Sequence, residues 1–290
     1  MAYSPVTALD GAVRVELSED HPGFADPAYR RRRDDLAALA LDYQPGDPIP
    51  TPTYTETEHE VWRIVSRELA VKHREYANRE FLEAVEALAL PRDRIPQLHE
   101  VTERLAPLTG WKYLPVAGLA PLCDFYGSFA DGTFHSTQYI RHHSVPLYTP
   151  EPDIVHEVLG HANQLAHPEF AALCRVVGQV VRRLETPEAL LFLSKVFWFT
   201  FEFGVAWEGS ELRTYGAGVL SSYGELDNFR KAEIRPLDWG AMGTLDYDIT
   251  HYQPVLFAAP SIPALVEELR GFLEGFDDET ALRWTTSTAA

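Results

Sequence analysis

Cysteine is scarce in this chain, and several features of secreted and membrane proteins are missing. Its 290 residues include only Cys123 and Cys174, too few for a disulfide framework. No run approaches the roughly 18 apolar residues that a membrane helix needs. The first thirty residues contain no apolar segment behind a basic start, which excludes a typical secretory leader. These absences predict a cytoplasmic protein with no membrane partner.

Basic residues are also in short supply. The chain has 25 Lys and Arg residues against 43 Asp and Glu residues, a formal net charge of -18. Such a charge repels a phosphate backbone, so we expect no nucleic-acid partner. Hydrophobic residues make up 46% of the chain, which is enough for a full core in one large domain.

The hydrophobic pattern predicts a mainly α fold with small β-strands. Glycine and proline interrupt residues 109–150, where we expect loops with short strands, and residues 214–257 should contain turns and short strands. Helical periodicity over 55–106 predicts three helices, with breaks near Asn78 and Pro91. Further helices are expected around His156, over 170–184 and over 187–207. A last helix should follow Ser261, which is a plausible N-cap.

These patterns divide the chain into three parts. Residues 1–53 are expected to be an N-terminal extension, 54–276 one folded domain and 277–290 a C-terminal tail. The extension contains a basic run at residues 30–33 that acidic residues follow at once. Such a run usually forms a solvated helix face. The absence of a heptad run at the end predicts a monomer.

Two histidines and one glutamate carry the strongest chemical signal. At ~100° per residue, His156 and His161 would differ by about 140° on a straight helix, against about 40° for the i, i+4 pair of zinc proteases. Chelation from this spacing needs long side chains that converge at a helix end or at a loosened turn, and Gly160 lies where such loosening would occur. Glu202 is the only charged residue within 196–207, an otherwise apolar and aromatic stretch. An unpaired buried carboxylate is costly, so we expect a cation beside it.

Two imidazoles and a carboxylate are the donors of non-haem Fe(II) oxygenases, and three-ligand zinc sites use the same types. A zinc hydrolase with Glu157 as general base is therefore one alternative, and a non-catalytic amino-acid binder is another. Asp153 lies three residues before His156 and could accept the second imidazole proton. It could equally serve only as a carboxylate at a helix N-terminus.

Five stretches resemble the tetrahydropterin-dependent aromatic amino acid hydroxylases. They occur in the family's order, at residues 109–119, 134–142, 148–161, 197–204 and 215–225. The resemblance covers residues 54–276 and implies a single-domain catalytic fold, a helical basket around a non-haem iron. It also implies Fe(II), a tetrahydropterin cosubstrate and O2, with a free aromatic amino acid as substrate.

The resemblance assigns roles to the matched residues. His156, His161 and Glu202 would bind the iron, and Arg141 would bind the substrate carboxylate through its bidentate fork. The other substrate-binding residues would be Thr149, Trp198, Phe203, Gly218 and Ser221. The pterin would stack on Phe125 and contact Glu157, Gly118, Leu119, Leu122, His135 and Tyr247.

Single positions within these motifs indicate the substrate. Trp198 favours a one-ring substrate, and Ile249 stands where tyrosine enzymes of the family carry an aspartate. Phe203 and Gly218 match the para-hydroxylating pattern. The sequence therefore predicts a phenylalanine 4-monooxygenase that converts L-phenylalanine to L-tyrosine. Phenylalanine 3-hydroxylase and tryptophan hydroxylase are the alternatives within the family. Residues 120–123 depart from the animal enzymes, which leaves the pterin preference open.

Overall fold

Helices form most of the regular structure in the computed structural model, which describes residues 4–9, 12–118, 120–249 and 251–287. The α-helices are Pro27–Asp42 (α1), Glu56–Tyr76 (α2), Arg79–Leu88 (α3), Leu98–Thr109 (α4), Leu122–Gly127 (α5), Asn163–Leu165 (α6), Pro168–Val181 (α7), Pro187–Phe197 (α8), Ala217–Leu220 (α9), Tyr223–Asn228 (α10), Trp239–Thr244 (α11), Ile262–Gly275 (α12) and Asp278–Ser287 (α13). Two π-helices, His156–Ala162 and Trp198–Glu202, and two 3-10 turns, Ser128–Asp131 and Phe229–Lys231, complete them.

The strands are short and form three small sheets. They are Val6–Leu9 (β1), Ala12–Val15 (β2), Lys112–Pro115 (β3), Thr133–Ser136 (β4), Val205–Glu208 (β5), Glu211–Thr214 (β6), Glu233–Pro236 (β7) and Val255–Ala259 (β8). β1 pairs with β2 in antiparallel orientation, and β3 pairs with β4 in parallel orientation. The third sheet has the order β6-β5-β8-β7. The predicted fold class, mainly α with small strands, is confirmed.

One large hydrophobic cluster runs from Tyr54 to Ala281 and joins almost every helix after α1. A smaller cluster under α1 contains Val15, Leu17 and Ala37. The three predicted helices over 55–106 are confirmed as α2, α3 and α4. Ser261 is confirmed as an N-cap, because its hydroxyl accepts a hydrogen bond from Ala264 N at 3.2 Å. No helix in the described residues is both long and apolar enough to cross a bilayer.

One predicted helix boundary is wrong, and two other segments contain helices that the sequence patterns did not indicate. Helix does not continue to residue 207: it ends at Glu202, and β5 starts at Val205 because its backbone pairs with β6 and β8. Residues 214–257 include three short helices, α9 to α11, besides their strands. The segment expected as a tail contains α13, whose Trp284 stacks on Phe192 and Phe272 at 5.3 and 5.7 Å between ring centroids.

The basic run in α1 also differs from expectation. Arg31 is exposed, as a solvated face requires, but Arg33 is buried. Arg33 Nη1 donates to Glu151 Oε1 at 2.7 Å, and its guanidinium lies 3.3 Å from the ring centroid of Tyr139. The Glu151 carboxylate pairs with the buried charge of Arg33, and the Tyr139 ring makes a cation–π contact with it. One residue of the basic run therefore faces inward.

Candidate active site

The two histidines converge because the helix that carries them is a π-helix. Its i→i+5 pattern brings residues five apart onto one face, which a straight α-helix would not do. The Nε2 atoms of His156 and His161 lie 3.1 Å apart. The predicted loosening of this turn is confirmed. Gly160 has a further role: a Cβ there would lie 2.9 Å from Ala217 O, so glycine lets α9 pack against the π-helix.

Glu202 ends the second π-helix and meets the histidine pair. Its Oε1 is 3.0 Å from His161 Nε2, and its Oε2 is 3.7 Å from His156 Nε2. One ligand atom from each of the three residues lies within 4.8 Å of the others. The structure therefore brings together three neighbouring donors from two π-helices that are distant in sequence.

The pKa shifts in this cluster follow from burial and from the paired charges. Burial lowers the pKa of His156 to about 4, so this ring is neutral. Burial opposes protonation of His161 too, but the Glu202 carboxylate outweighs it and raises the pKa of His161. Glu202 has a lowered pKa because the two histidines outweigh its burial. Burial raises the pKa of the neighbouring Glu157 to about 8. A cation bound by the three donors would displace the proton from His161.

Asp153 does not hold the His156 ring, contrary to one of the two interpretations of the sequence. The Nδ1 atom of His156 lies 2.9 Å from Ser221 Oγ instead. Asp153 is fully buried and accepts from Arg141, from Nε at 2.9 Å and from Nη2 at 2.8 Å. The backbone places the Arg141 guanidinium, and not the His156 ring, against the Asp153 carboxylate. Ser221, predicted to bind substrate, is thus a partner of the histidine.

The histidine–glutamate cluster lies in the wall of a cavity that is also lined by most of the predicted pterin-binding residues. Predicted site residues that line it are Gly118, Leu122, Phe125, His135, His156, Glu157, His161, Trp198, Glu202 and Tyr247. Tyr247 stacks on Trp198 with ring centroids 4.1 Å apart. Leu119 lies outside the described residues. The remaining lining includes Thr137, whose hydroxyl donates to Glu157 Oε1 at 3.4 Å.

Five predicted substrate or supporting residues are absent from the described lining of this cavity: Arg141, Thr149, Phe203, Gly218 and Ser221. The Thr149 hydroxyl donates to the backbone carbonyl of Glu151 at 2.8 Å and so shapes a turn. Phe203 lies behind the wall, with its ring 4.4 Å from that of Trp198. A Cβ on Gly218 would lie 2.8 Å from the Phe203 ring.

Sequence reasoning missed Gln253 and Glu225. The buried Gln253 accepts from Trp198 Nε1 at 3.2 Å through its side-chain oxygen, and its backbone N–H donates to Glu225 Oε1 at 3.1 Å. Glu225 ends the matched stretch 215–225, but that resemblance assigned it no role, and no sequence pattern indicated Gln253. Only the approach of the loop before β8 to α10 brings them together.

Comparison with known proteins decides the family. The sequence model described as "Biopterin-dependent aromatic amino acid hydroxylase" matches residues 8–290. The chain belongs to this family. Among curated hydroxylases, it is 46% identical over 260 residues to the phenylalanine 3-hydroxylase of Streptomyces coeruleorubidus, covering 90% of this chain and 93% of that protein. It is 42% identical to the chloroplastic phenylalanine 4-monooxygenase of Pinus taeda, covering 89% and 73% respectively.

Solved structures of bacterial hydroxylases have the same fold. The apo phenylalanine hydroxylase of Colwellia psychrerythraea has a TM-score of 0.74 and 30% identity, and the match covers 82% of this chain and 90% of that one. The Chromobacterium violaceum phenylalanine hydroxylase with bound iron(III) and 7,8-dihydrobiopterin has a TM-score of 0.75 and 27% identity, with coverage of 83% and 90%. The expected family and catalytic fold are both confirmed.

Proposed function

We propose that this hydroxylase is an Fe(II)- and tetrahydropterin-dependent monooxygenase that converts free L-phenylalanine to L-tyrosine. One observation carries the proposal: the His156, His161 and Glu202 donors open into the same cavity as the rings of Phe125 and Trp198. A metal-binding cluster beside two aromatic surfaces fits a flat cosubstrate and a flat substrate at one metal.

The donor set fits iron. Two neutral imidazoles and a carboxylate on one side of an ion leave positions for oxygen and water, as in the 2-His-1-carboxylate oxygenases. When bound, iron together with the tetrahydropterin would supply the reduction of O2. The chain's part is to orient these donors through Ser221 and the π-helices, and to shield the site from bulk water. The i→i+5 arrangement gives no support to a zinc-protease geometry.

The pterin side of the cavity has both a stacking surface and polar atoms that need partners. Phe125 offers a ring, and stacking is worth roughly 0.5–1.5 kcal/mol beyond burial. In the described part of the chain, His135 Nδ1 is buried with no hydrogen-bond partner. Glu157 also lines the cavity, and burial raises the pKa of its carboxyl to about 8. A heterocycle with ring N–H and carbonyl groups could satisfy both residues.

The substrate side is supported by aromatic packing. Trp198 and Tyr247 form a stacked pair in the lining, with Ile249 beside them, which suits a phenyl ring. Arg141 lies outside the described lining of this cavity and uses Nε and Nη2 on Asp153, so its role at the substrate carboxylate rests on the family resemblance alone. Asp153 fixes the direction of the guanidinium.

The position of hydroxylation is the finer part of the proposal. The Phe203 ring occupies the space next to Gly218 and packs against Trp198 on the side away from the cavity. Trp198 therefore cannot move outward. The Pinus relative's name agrees with para hydroxylation. The name of the Streptomyces relative, at 46% identity, makes meta hydroxylation the second candidate.

One competition experiment tests these statements. The protein is loaded anaerobically with Fe(II), then mixed with tetrahydrobiopterin, O2 and equal amounts of ring-deuterated phenylalanine, unlabelled tyrosine and unlabelled tryptophan. Products are separated by chromatography with mass detection, so that tyrosine formed from phenylalanine is distinguished from the tyrosine supplied. We expect p-tyrosine. Formation of m-tyrosine would overturn only the proposed position of hydroxylation. Formation of 5-hydroxytryptophan would overturn the proposed substrate. No hydroxylated amino acid would overturn the monooxygenase function.

A matched pair of variants tests the iron ligand. Glu202→Gln removes the only anionic donor of the cluster, so bound iron should fall at least tenfold in metal analysis. Glu211→Gln is the control, because Glu211 is exposed on β6 and pairs only with the surface residue Arg230. Equal iron content in the two variants would remove Glu202 from the metal site.

A further inference from the structure

A second group of donor side chains lies outside the cavity described above. It consists of Asp26, His142 and His143, with one ligand atom from each within 4.8 Å of the others. Asp26 is the N-cap of α1, and the two histidines follow Arg141 in the loop after β4. The group therefore joins the N-terminal extension to the loop that carries Arg141.

The donors are oriented by contacts on their other atoms. His142 Nδ1 lies 2.7 Å from Ser144 Oγ, which points Nε2 at Asp26 Oδ2, 3.3 Å away. Asp26 Oδ1 accepts from the backbone N–H groups of Ala28 and Tyr29 at 2.8 and 3.1 Å, so Oδ2 is the oxygen that faces the ring. These hydrogen bonds lower the pKa of Asp26 and keep it ionised. Such contacts are typical of the outer partners of metal ligands.

Solvent can reach the group. His143 is exposed, and its ring lies 4.3 Å from that of His142 between centroids. Asp26 and His143 both line a cavity of about 630 Å³ between α1, β2 and the start of α2. Water molecules could therefore complete the coordination of an ion bound there.

We propose that Asp26, His142 and His143 form a second metal site for a divalent transition-metal ion such as Zn²⁺. Two imidazoles and one carboxylate are a donor set that Zn²⁺ accepts, with water in the remaining positions. Ca²⁺ and Mg²⁺ prefer sets made of oxygen alone. An ion there would fasten the extension to the loop after Arg141, which the Asp26–His142 contact alone does weakly. This site is independent of the proposed iron cluster.

The test measures zinc on enzyme that already holds iron. Iron-loaded protein is dialysed anaerobically against Zn²⁺, and both metals are counted per chain by mass spectrometry. We expect one zinc per chain in addition to the retained iron. Asp26→Asn and His143→Ala should each weaken zinc binding at least tenfold and leave the iron content unchanged. Asparagine caps a helix as well as aspartate does, and His143 is exposed, so both variants should fold.

The matched control is His251→Ala. His251 is also exposed and lies 2.9 Å from a carboxylate, that of Asp248, but it belongs to no cluster of three donors among the described residues. This variant should bind zinc as the parent does. Absence of zinc beyond the iron, replacement of iron by zinc one for one, or equal loss in His251→Ala would each overturn the proposal.

Discussion

At the scale of single residues, Gln253 connects the aromatic wall of the cavity to the loop that completes it. Its side-chain oxygen accepts from Trp198, and its amide nitrogen donates to the carbonyls of Asp248 and His251 at 2.8 and 3.1 Å. The same loop carries Tyr247, which stacks on Trp198. One buried amide therefore fixes both rings of this wall.

Gln253→Leu should loosen this wall. It leaves the Trp198 N–H and two loop carbonyls without their partner, which costs about 1–3 kcal/mol of stability for each buried group left unpaired. We expect KM for phenylalanine to rise more than kcat falls, because the wall positions the ring. Trp198→Phe removes the indole N–H but keeps a ring. Steady-state kinetics of the double variant should show less than additive loss. Strict additivity would mean that Gln253 does not act through Trp198.

The free energy of unfolding should depend on pH through the buried carboxyl group of Glu225. Burial raises its pKa from 4.5 to about 7, so between these values the folded state keeps a proton that the unfolded state releases. Stability should therefore decline as pH rises through this window and level off above it, by roughly 3 kcal/mol in total. Glu225→Gln keeps the oxygen that accepts from Gln253 and should lack this decline. Urea unfolding of both proteins between about pH 5 and 8 measures the difference. If the free energies of unfolding of the two proteins changed equally with pH, the raised pKa of Glu225 would be refuted.

At the scale of elements, the two π-helices decide the geometry of the metal-binding cluster. His156–Ala162 supplies both histidines on one face, and Trp198–Glu202 supplies the carboxylate at its last residue. Helix α9 packs against both of them and carries Gly218. The close approach at Gly160 keeps the first π-helix in contact with α9, and Ser221 follows directly after α9.

Gly160→Ala should disturb this contact. The new Cβ would lie 2.9 Å from the backbone oxygen of Ala217, so the elements must separate, at a cost of about 1–3 kcal/mol. Iron affinity should fall with stability, because Ser221 would move away from His156. Gly271→Ala is the control: a Cβ there meets no atom within 4 Å, and alanine in α12 should stabilise by about 0.5–1 kcal/mol. Thermal unfolding with iron analysis measures both effects. A neutral Gly160→Ala would contradict the packing argument.

At the scale of the whole molecule, a buried ion pair attaches helix α1 to the loop before the first π-helix. Arg33 and Glu151 are both buried, and Ser4 N also donates to Glu151 at 3.0 Å. The hydrogen bond with His21, the charge and hydrogen bond of Arg33 and the hydrogen bond from Ser4 N together outweigh the burial of Glu151 and lower the pKa of that carboxyl to about 2. Ser4, Arg33 and Glu151 line the cavity beside the histidine–glutamate cluster, so Ser4 and helix α1 form part of its wall.

Arg33→Gln should therefore destabilise the protein strongly. It leaves Glu151 buried without its cation, and breaking one side of a buried pair costs about 3–5 kcal/mol. Arg31→Gln, two residues away on the exposed face of α1, should change stability by less than about 0.5 kcal/mol. Chemical denaturation of the two variants gives the comparison. Similar midpoints would show that the pair contributes nothing to attachment.

The sequence alone determined the family and the helical character, and it singled out the two histidines and the glutamate that the structure brings together. Helices α2 to α4 could be predicted because their apolar periodicity and caps are local, and Glu202 stood out because no other charge lies in its aromatic stretch. The tertiary structure alone decided which polar atoms meet. Asp153 pairs with Arg141 and Ser221 with His156, and Arg33 turns inward to Glu151. Hydrogen bonds between distant segments depend on ångström-scale approach, whereas periodicity depends only on neighbours along the chain.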